Sequence, residues 1–307
     1  MYYIEKLPHT NPLLNQIIIR NDKLNFYSSI YPNLGASIQK LSSNETDIIH
    51  GISNNPQGLE AYRNSFNSSF LFPFPNRINE GKYIFNNERH QLECNETALN
   101  NSLHGHIYNK SFSITKQIES EDKAIISLGY QNSKIDTGFP FYYKLEITYT
   151  FTPNKMSIDF QINNCGKNKF PFGIGWHPYF NSKNLCESSL DFDAKDQYLL
   201  NDQMIPSSRI SLKFETPLLI KDTFLDDCFI TKESKASFNS KNYKIDLDFS
   251  SKTPHSFVQV YTPPTKDCIA IEPMTCAPDS FNNRDGLLIL EPSEIYNWTV
   301  NLNYSIE

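Results

Sequence analysis

One segment with the potential for proton transfer runs over residues 171–180 and interrupts the pattern around it. Gly173 and Gly175 alternate with bulky residues such as Trp176, and His177 follows on the same side of the chain as the glycines. Glycine within a strand often marks a place where a ligand or another backbone approaches closely. We therefore predict that His177 lies at the edge of a surface that the two glycines leave clear of side chains. A packed histidine that merely follows two glycines is the alternative.

A second such segment is residues 268–274, in which Glu272 shares one strand face with Cys268 and Ala270. Its carboxylate would project past two small side chains. Strand propensity disfavours glutamate, and a carboxylate in a partly dry cleft has a raised pKa, as a general base at neutral pH requires. On this segment alone, Glu272 could equally well be an exposed surface charge or a general base in a cleft.

The third segment holds two histidines, His104 and His106, in a loop that follows a polar stretch. In a strand these side chains would share a face, as in metal-binding pairs. Residues 107–110 supply no acidic third ligand, so the ligand set for a metal is incomplete. We predict no metal and no cofactor.

Two isolated charged residues complete the inventory. Arg77 can donate a planar pair of hydrogen bonds to vicinal hydroxyls, and Asp226 can accept hydrogen bonds from others. Each, taken alone, equally fits a solvated surface position.

The charge of the chain excludes some classes of partner. The 307 residues carry a net charge of -6 without any Lys/Arg run, so nucleic acid and anionic membranes are not expected partners. The N-terminus lacks a basic and apolar leader, and no apolar run reaches membrane-spanning length. We expect a cytoplasmic protein that is a monomer or a homodimer. Its six cysteines are spread singly, which indicates free and mostly buried thiols.

The elements that must position these side chains are strands. Apolar and polar residues alternate strictly over residues 143–151 and 156–163, which predicts a hairpin, and again over 243–249 and 296–306. Half-buried alternation is typical of antiparallel sheets. We find no amphipathic helix of ten or more residues and interpret residues 53–67 and 182–189 as long loops. The pattern predicts one all-β domain over residues 1–307, a large antiparallel β-sandwich.

Six motifs in order give the chain a resemblance to the aldose 1-epimerase (galactose mutarotase) family. They are Asn76-Arg77-Ile78 with Gly81, Leu103-His104-Gly105, His177-Pro178-Tyr179-Phe180, Asp226 to Phe229, Glu272-Pro273 with Pro278-Asp279 and Asn282, and Pro292-Ser293-Glu294. The resemblance covers the chain from about residue 76 to its end. It implies the galactose mutarotase-like supersandwich with a sugar pocket on one sheet.

The resemblance also implies roles for single residues. Glu272 would be the general base and His177 the general acid of a mutarotase, with His104 as a second, assisting histidine. Arg77, Asp226 and Asn76 would bind the hydroxyls of a monosaccharide.

Two departures from the galactose branch leave the identity of the sugar open. That branch has an Asn before the histidine that corresponds to His177, where this chain has Trp176. It also has a second Gly after the His-Gly pair that corresponds to His104-Gly105, where this chain has His106. A non-catalytic carbohydrate-binding protein and an epimerase of a phosphorylated or otherwise modified sugar are the alternative functions.

Overall fold

The computed structural model describes residues 1–132, 138–212, 214–253 and 255–307. In chain order its strands are β1 (Tyr3–Leu7), β2 (Gln16–Asn21), β3 (Phe26–Tyr31), β4 (Ser37–Ser43), β5 (Thr46–Asp47), β6 (Ser69–Leu71), β7 (Arg77–Ile78), β8 (Lys82–Phe85), β9 (Glu88–Gln91), β10 (Ser102–Leu103), β11 (Ser113–Glu119), β12 (Ala124–Gln131), β13 (Tyr143–Thr152), β14 (Lys155–Asn164), β15 (Phe170–Phe172), β16 (Gly175–His177), β17 (Tyr179–Asn181), β18 (Ser189–Asp191), β19 (Ala194–Leu200), β20 (Pro206–Ser211), β21 (Leu218–Leu219), β22 (Asp226–Thr231), β23 (Lys235–Asn239), β24 (Tyr243–Asp248), β25 (Ser256–Tyr261), β26 (Cys268–Met274), β27 (Leu288–Leu290) and β28 (Ile295–Ile306). The α-helices are α1 (Pro56–Ser65) and α2 (Ser280–Asn283), and short 3-10 turns lie at Pro12–Leu14, Asp22–Leu24, Asn79–Gly81 and Leu185–Glu187.

Two large antiparallel sheets dominate the architecture, which confirms the predicted all-β fold. One has nine strands in the order β11-β12-β13-β14-β28-β24-β23-β18-β21, and the other has the order β20-β19-β22-β25-β26-β16-β6 with β17 paired to β26. The described residues also form a five-stranded sheet, β1 to β5, and three two-stranded ribbons (β7 with β10, β8 with β9, β15 with β27). No helix in the described ranges is long and apolar enough to span a membrane.

The predicted hairpin is confirmed as β13 and β14. Their register runs from Tyr143 opposite Asn164 to Thr152 opposite Lys155, and buried residues alternate with more exposed ones along both strands. The buried face packs on the second large sheet, where Phe70 of β6 meets Phe160 of β14 with ring centroids 5.6 Å apart. The hydrophobic core therefore lies between the two sheets, as a sandwich requires.

The central strands of the second sheet are buried on both faces. In β26, Ile269 and Ile271 face the core, whereas Cys268 and Ala270 belong to a separate small cluster on the other face. Side chains on this outer face do not pack against the other large sheet, so polar residues can be accommodated there.

Three expectations from the sequence were wrong. Residues 53–67 contain α1, whose N-cap Asn55 accepts a hydrogen bond from the Gly58 amide at 2.9 Å. Residues 171–180 do not form one strand but parts of three, β15 to β17. All six cysteines are free thiols, yet only half of them are buried.

Candidate active site

The outer face of the second large sheet forms the floor of a cavity of about 670 Å³. Glu272 of β26 lies directly opposite Gln259 of β25, and Asp226 stands at the start of the neighbouring β22. His177 ends β16, which pairs with β26 and β6. Antiparallel pairing thus gathers on one face residues that are almost a hundred positions apart in the chain.

His177 and Glu272 are in direct contact on this floor. Nε2 of His177 lies 3.3 Å from Oε1 of Glu272, and the two residues are 5 % and 2 % exposed. The other polar atom of each side chain, Nδ1 of His177 and Oε2 of Glu272, has no hydrogen-bond partner within the described residues. Buried polar atoms are rarely left unpaired, so these two atoms mark a place that a polar ligand can satisfy.

Burial governs the protonation of this pair. Desolvation raises the pKa of Glu272 well above its ordinary value, and the negative charge of Asp226 adds to this effect while Arg77 opposes it. Desolvation also lowers the pKa of His177 to about 4. Each group therefore favours its neutral form when the cavity holds no sugar.

His104 enters the cavity from the loop after β10, held by the backbone of Asn76. The His104 amide donates to the Asn76 carbonyl oxygen at 2.8 Å, and the Asn76 amide donates to Nδ1 of His104 at 3.2 Å. Nδ1 must therefore carry the lone pair, which leaves the hydrogen of the neutral ring on Nε2. Burial, followed by the charges of His177 and Arg77, lowers the pKa of His104 well below its ordinary value.

The ring of Phe66, at the C-terminal end of α1, packs against both histidines. Its centroid lies 4.8 Å from that of His104 and 6.5 Å from that of His177, and the two imidazoles are 5.1 Å apart. Helix α1 thus contributes a cavity wall and restrains the rotamers of both rings.

Arg77 is clamped by a residue that we did not single out from the sequence. Glu96 accepts from Nη2 of Arg77 at 2.8 Å and from Nε at 2.9 Å, and both side chains are largely buried. Such a bidentate pair fixes the plane of the guanidinium. Nothing in the polar stretch around Glu96 signals this contact, because it depends on how that stretch folds back against β7.

Gln259 links two of the predicted ligand residues. Its amide nitrogen donates to Oδ1 of Asp226 at 2.7 Å, and its amide oxygen accepts from Nδ2 of Asn76 at 3.2 Å. Burial raises the pKa of Asp226, against the opposing effects of Arg77 and the Gln259 hydrogen bond. A glutamine between two valines in β25 is the signal that could have identified this residue.

The six residues singled out from the sequence all line this one cavity, together with Phe66, Glu96, Tyr179 and Gln259. Among the described lining residues Arg77 is the only lysine or arginine, whereas Glu96, Asp226, Asp267 and Glu272 are acidic. The cavity therefore has an acidic character, and its single cation is already paired with Glu96.

The glycines before His177 do not clear space for a ligand. A Cβ on Gly173 would lie 2.2 Å from Sγ of Cys276, and one on Gly175 would lie 2.9 Å from Cβ of Pro75. Both glycines permit close packing within the protein, so our prediction that they clear a surface was wrong, although His177 does face the cavity.

His106 lies apart from His104. Its Nε2 contacts the hydroxyl of Tyr143 at 3.1 Å, and its ring packs near Phe139. Neither His106 nor these two neighbours is among the described residues that line the cavity.

Comparison with known sequences and structures gives consistent results. The sequence model of the family described as Aldose 1-epimerase matches residues 16–303. The uncharacterized protein YihR of Escherichia coli K12 is 26% identical over 233 residues, which cover 72% of this chain and 73% of that protein.

Two solved structures illustrate the likeness in fold. A galactose mutarotase-like protein from Clostridium acetobutylicum superposes with a TM-score of 0.87 at 17% identity, covering 99% of both chains. Galactose 1-epimerase from Lactobacillus acidophilus NCFM superposes with a TM-score of 0.78 at 17% identity, covering 100% of this chain and 99% of that one.

Proposed function

The chain belongs to the aldose 1-epimerase family, and on that premise we propose that it interconverts the α and β anomers of a free aldose by acid-base ring opening and closure. The motif resemblance seen in the sequence is thereby confirmed at the level of the family. The observation that carries the proposed reaction is the buried contact between His177 and Glu272 on a cavity floor, with one unpaired polar atom on each.

Ring opening needs one proton removed and one supplied. In our proposal the Glu272 carboxylate takes the proton of the anomeric hydroxyl, and the electron pair of that O–H bond forms the aldehyde C=O. The bond from C1 to the ring oxygen breaks, and that oxygen takes a proton from His177. The aldehyde then rotates about C1–C2, and the reverse transfers close the ring on its other face.

The pair needs to hold one proton in total for this reaction. Ring opening converts ionised Glu272 with protonated His177 into neutral Glu272 with neutral His177. Burial favours the form in which both residues are neutral. The site therefore holds its more favourable protonation form while the sugar is in its open-chain form. Ring closure restores the charged pair, and the 3.3 Å contact between Nε2 and Oε1 supports the proton transfer that interconverts the charged and neutral forms of the pair between turnovers.

The remaining predicted residues serve binding in this proposal. His104, as the Nε2–H tautomer, donates a hydrogen bond to the ring oxygen or a neighbouring hydroxyl. Arg77 donates to vicinal hydroxyls, and Asp226 accepts from others. Asn76 mainly positions these groups, since Gln259, Arg77 and His104 all hydrogen-bond to it.

The substrate class follows from the charges of the lining. Because the one basic residue described in the cavity is paired with Glu96, we propose a neutral aldose in preference to a sugar phosphate. We further propose that residues 1–307 act as one domain; the core cluster includes residues from Tyr2 to Tyr304. A monomer or homodimer stays a prediction.

Polarimetry tests the proposed reaction. Freshly dissolved α-D-galactose or α-D-glucose should mutarotate faster with the EDTA-treated protein than spontaneously, and Glu272→Gln should remove the acceleration. A protein that binds either sugar without accelerating its mutarotation would be a carbohydrate-binding protein, contrary to the proposal.

A further inference from the structure

Three side chains at the rim of the cavity lie close enough together to share a metal ion. His50, Asp267 and Cys268 each offer one ligand atom, and these atoms all lie within 4.8 Å of one another. All three residues line the cavity. We propose that they form a binding site for a thiophilic divalent cation, with Zn²⁺ as the best fit. No step of the proposed reaction uses this site, so the inference does not depend on that reaction.

The backbone holds all three ligands against β17 and Ser182, the residue that follows it. The His50 amide donates to the Tyr179 carbonyl oxygen at 2.8 Å, Cys268 is the register partner of Asn181, and the Asp267 carbonyl oxygen accepts from the Ser182 amide at 2.8 Å. Anchoring of this kind brings the side chains together before a cation binds, which reduces the conformational entropy lost on binding.

The tautomer of His50 suits metal binding. Nδ2 of Asn181 donates to the Asp47 carbonyl oxygen at 3.2 Å, which orients the amide so that Oδ1 lies 2.8 Å from Nδ1 of His50. An amide oxygen only accepts hydrogen bonds, so Nδ1 of His50 carries the hydrogen and Nε2 keeps its lone pair. A histidine metal ligand is commonly oriented by such a hydrogen bond from its other ring nitrogen.

Cation binding at Cys268 has to break the S–H bond of its thiol: the proton leaves to solvent and a sulfur–metal bond forms.

The donor set selects the class of cation. One thiolate, one imidazole and one carboxylate match the ligand preferences of Zn²⁺ and Co²⁺, whereas Mg²⁺ prefers an all-oxygen shell. Three protein ligands leave one position of a tetrahedral shell for water or a sugar hydroxyl. Cys268 lies four residues from Glu272 on β26, a separation of roughly 13 Å along a strand, so the cation would not touch the acid-base pair.

Titration of the metal-free, reduced full-length protein with Co²⁺ and Zn²⁺ tests the site. We expect one Co²⁺ per chain, with a thiolate-to-metal charge-transfer absorption that Zn²⁺ displaces and Mg²⁺ does not. Cys268→Ser should abolish this absorption, and Cys165→Ser, which changes an exposed cysteine, should retain it. His50→Ala and Asn181→Ala should each weaken binding by at least about tenfold, the lower end of the effect of losing an orienting partner.

The variants keep the test decisive even if Cys268→Ser fails to fold, because His50 is partly exposed and its replacement leaves the core intact. Absence of saturable binding by the unmodified protein would overturn the proposal. So would a charge-transfer absorption that survives in Cys268→Ser or that has full strength in His50→Ala.

Discussion

Nε2 of His177 lies 3.3 Å from Oε1 of Glu272, in a position where burial disfavours the charge of both groups. A proton held by the pair can pass between Oε1 and Nε2 across this contact, and its two positions correspond to the two sides of the proposed ring-opening step. This relationship determines which variants and which pH values should affect activity.

Replacing either partner should remove most of the proposed activity. Glu272→Gln and His177→Asn keep the approximate shape of each side chain but eliminate one proton transfer, and each should lower kcat by roughly 10² to 10⁴. The double variant should lose far less than the product of the two effects, because the residues act as a unit. Initial rates of mutarotation measured by polarimetry give these values.

Matched surface variants control for general damage to the protein. Glu121→Gln and His255→Asn make the same chemical changes at exposed positions and should leave the rate unchanged. Near-normal turnover in Glu272→Gln would refute the role of this carboxylate.

The pH dependence of kcat/KM should be bell-shaped, with an unusually acidic lower limb. Below the lowered pKa of His177, about 4, the pair takes up a second proton and no base is left. Above the raised pKa of Glu272 the pair loses its only proton and no acid is left. A lower limb near pH 6.5, the ordinary value for histidine, would contradict this account of the pair.

Loss of the clamp on Arg77 should affect binding more than chemistry. In Glu96→Gln the two charge-assisted hydrogen bonds to Arg77 become weaker, the guanidinium gains freedom, and KM should rise about tenfold with a smaller change in kcat. Glu80→Gln removes an exposed ion pair with Lys82 and should change neither constant. A selective fall in kcat would assign Glu96 to the chemical step instead.

The acidic lining should discriminate against anionic sugars. With Arg77 already paired to Glu96, the described lining offers a phosphate group the carboxylates of Asp226 and Asp267 and no unpaired lysine or arginine. We therefore expect kcat/KM for glucose 6-phosphate to be at least about tenfold below that for glucose. Added salt should narrow this gap, because it screens repulsion near the cavity mouth. Equal turnover of both sugars in a coupled dehydrogenase assay would overturn the proposed substrate class.

Gly105 should tolerate no side chain. It has φ +65°, and a Cβ there would lie 2.2 Å from the Phe72 carbonyl oxygen, so Gly105→Ala should lower the free energy of unfolding by at least about 1–3 kcal/mol. Gly166→Ala, whose Cβ would meet its nearest atom at 3.3 Å without a positive φ, should cost much less. Denaturant unfolding of both variants measures the difference, and equal stabilities would contradict the steric argument.

The sequence by itself determined the strand pattern and the identity of the main candidate residues. Alternation predicted the hairpin of β13 and β14 because successive side chains of a strand point to opposite faces. Helix α1 was missed because, apart from Gly58, it buries only Leu59 and Tyr62, too few for an apolar stripe. The Asn55-Pro56 start was the available signal, since Asn favours the N-cap and Pro the first helical position.

Only the tertiary structure decided how these residues relate. The contact of Arg77 with Glu96, the bridge of Gln259 between Asn76 and Asp226 and the tautomer of His104 all depend on segments far apart in the chain. The alternation of apolar and polar residues indicates only which face of its own strand a side chain lies on. Distances between strands, and the desolvation that shifts a pKa, arise only when the strands pair and the sheets pack. That is why the sequence predicted an acid and a base, and the structure was needed to bring His177 and Glu272 into contact.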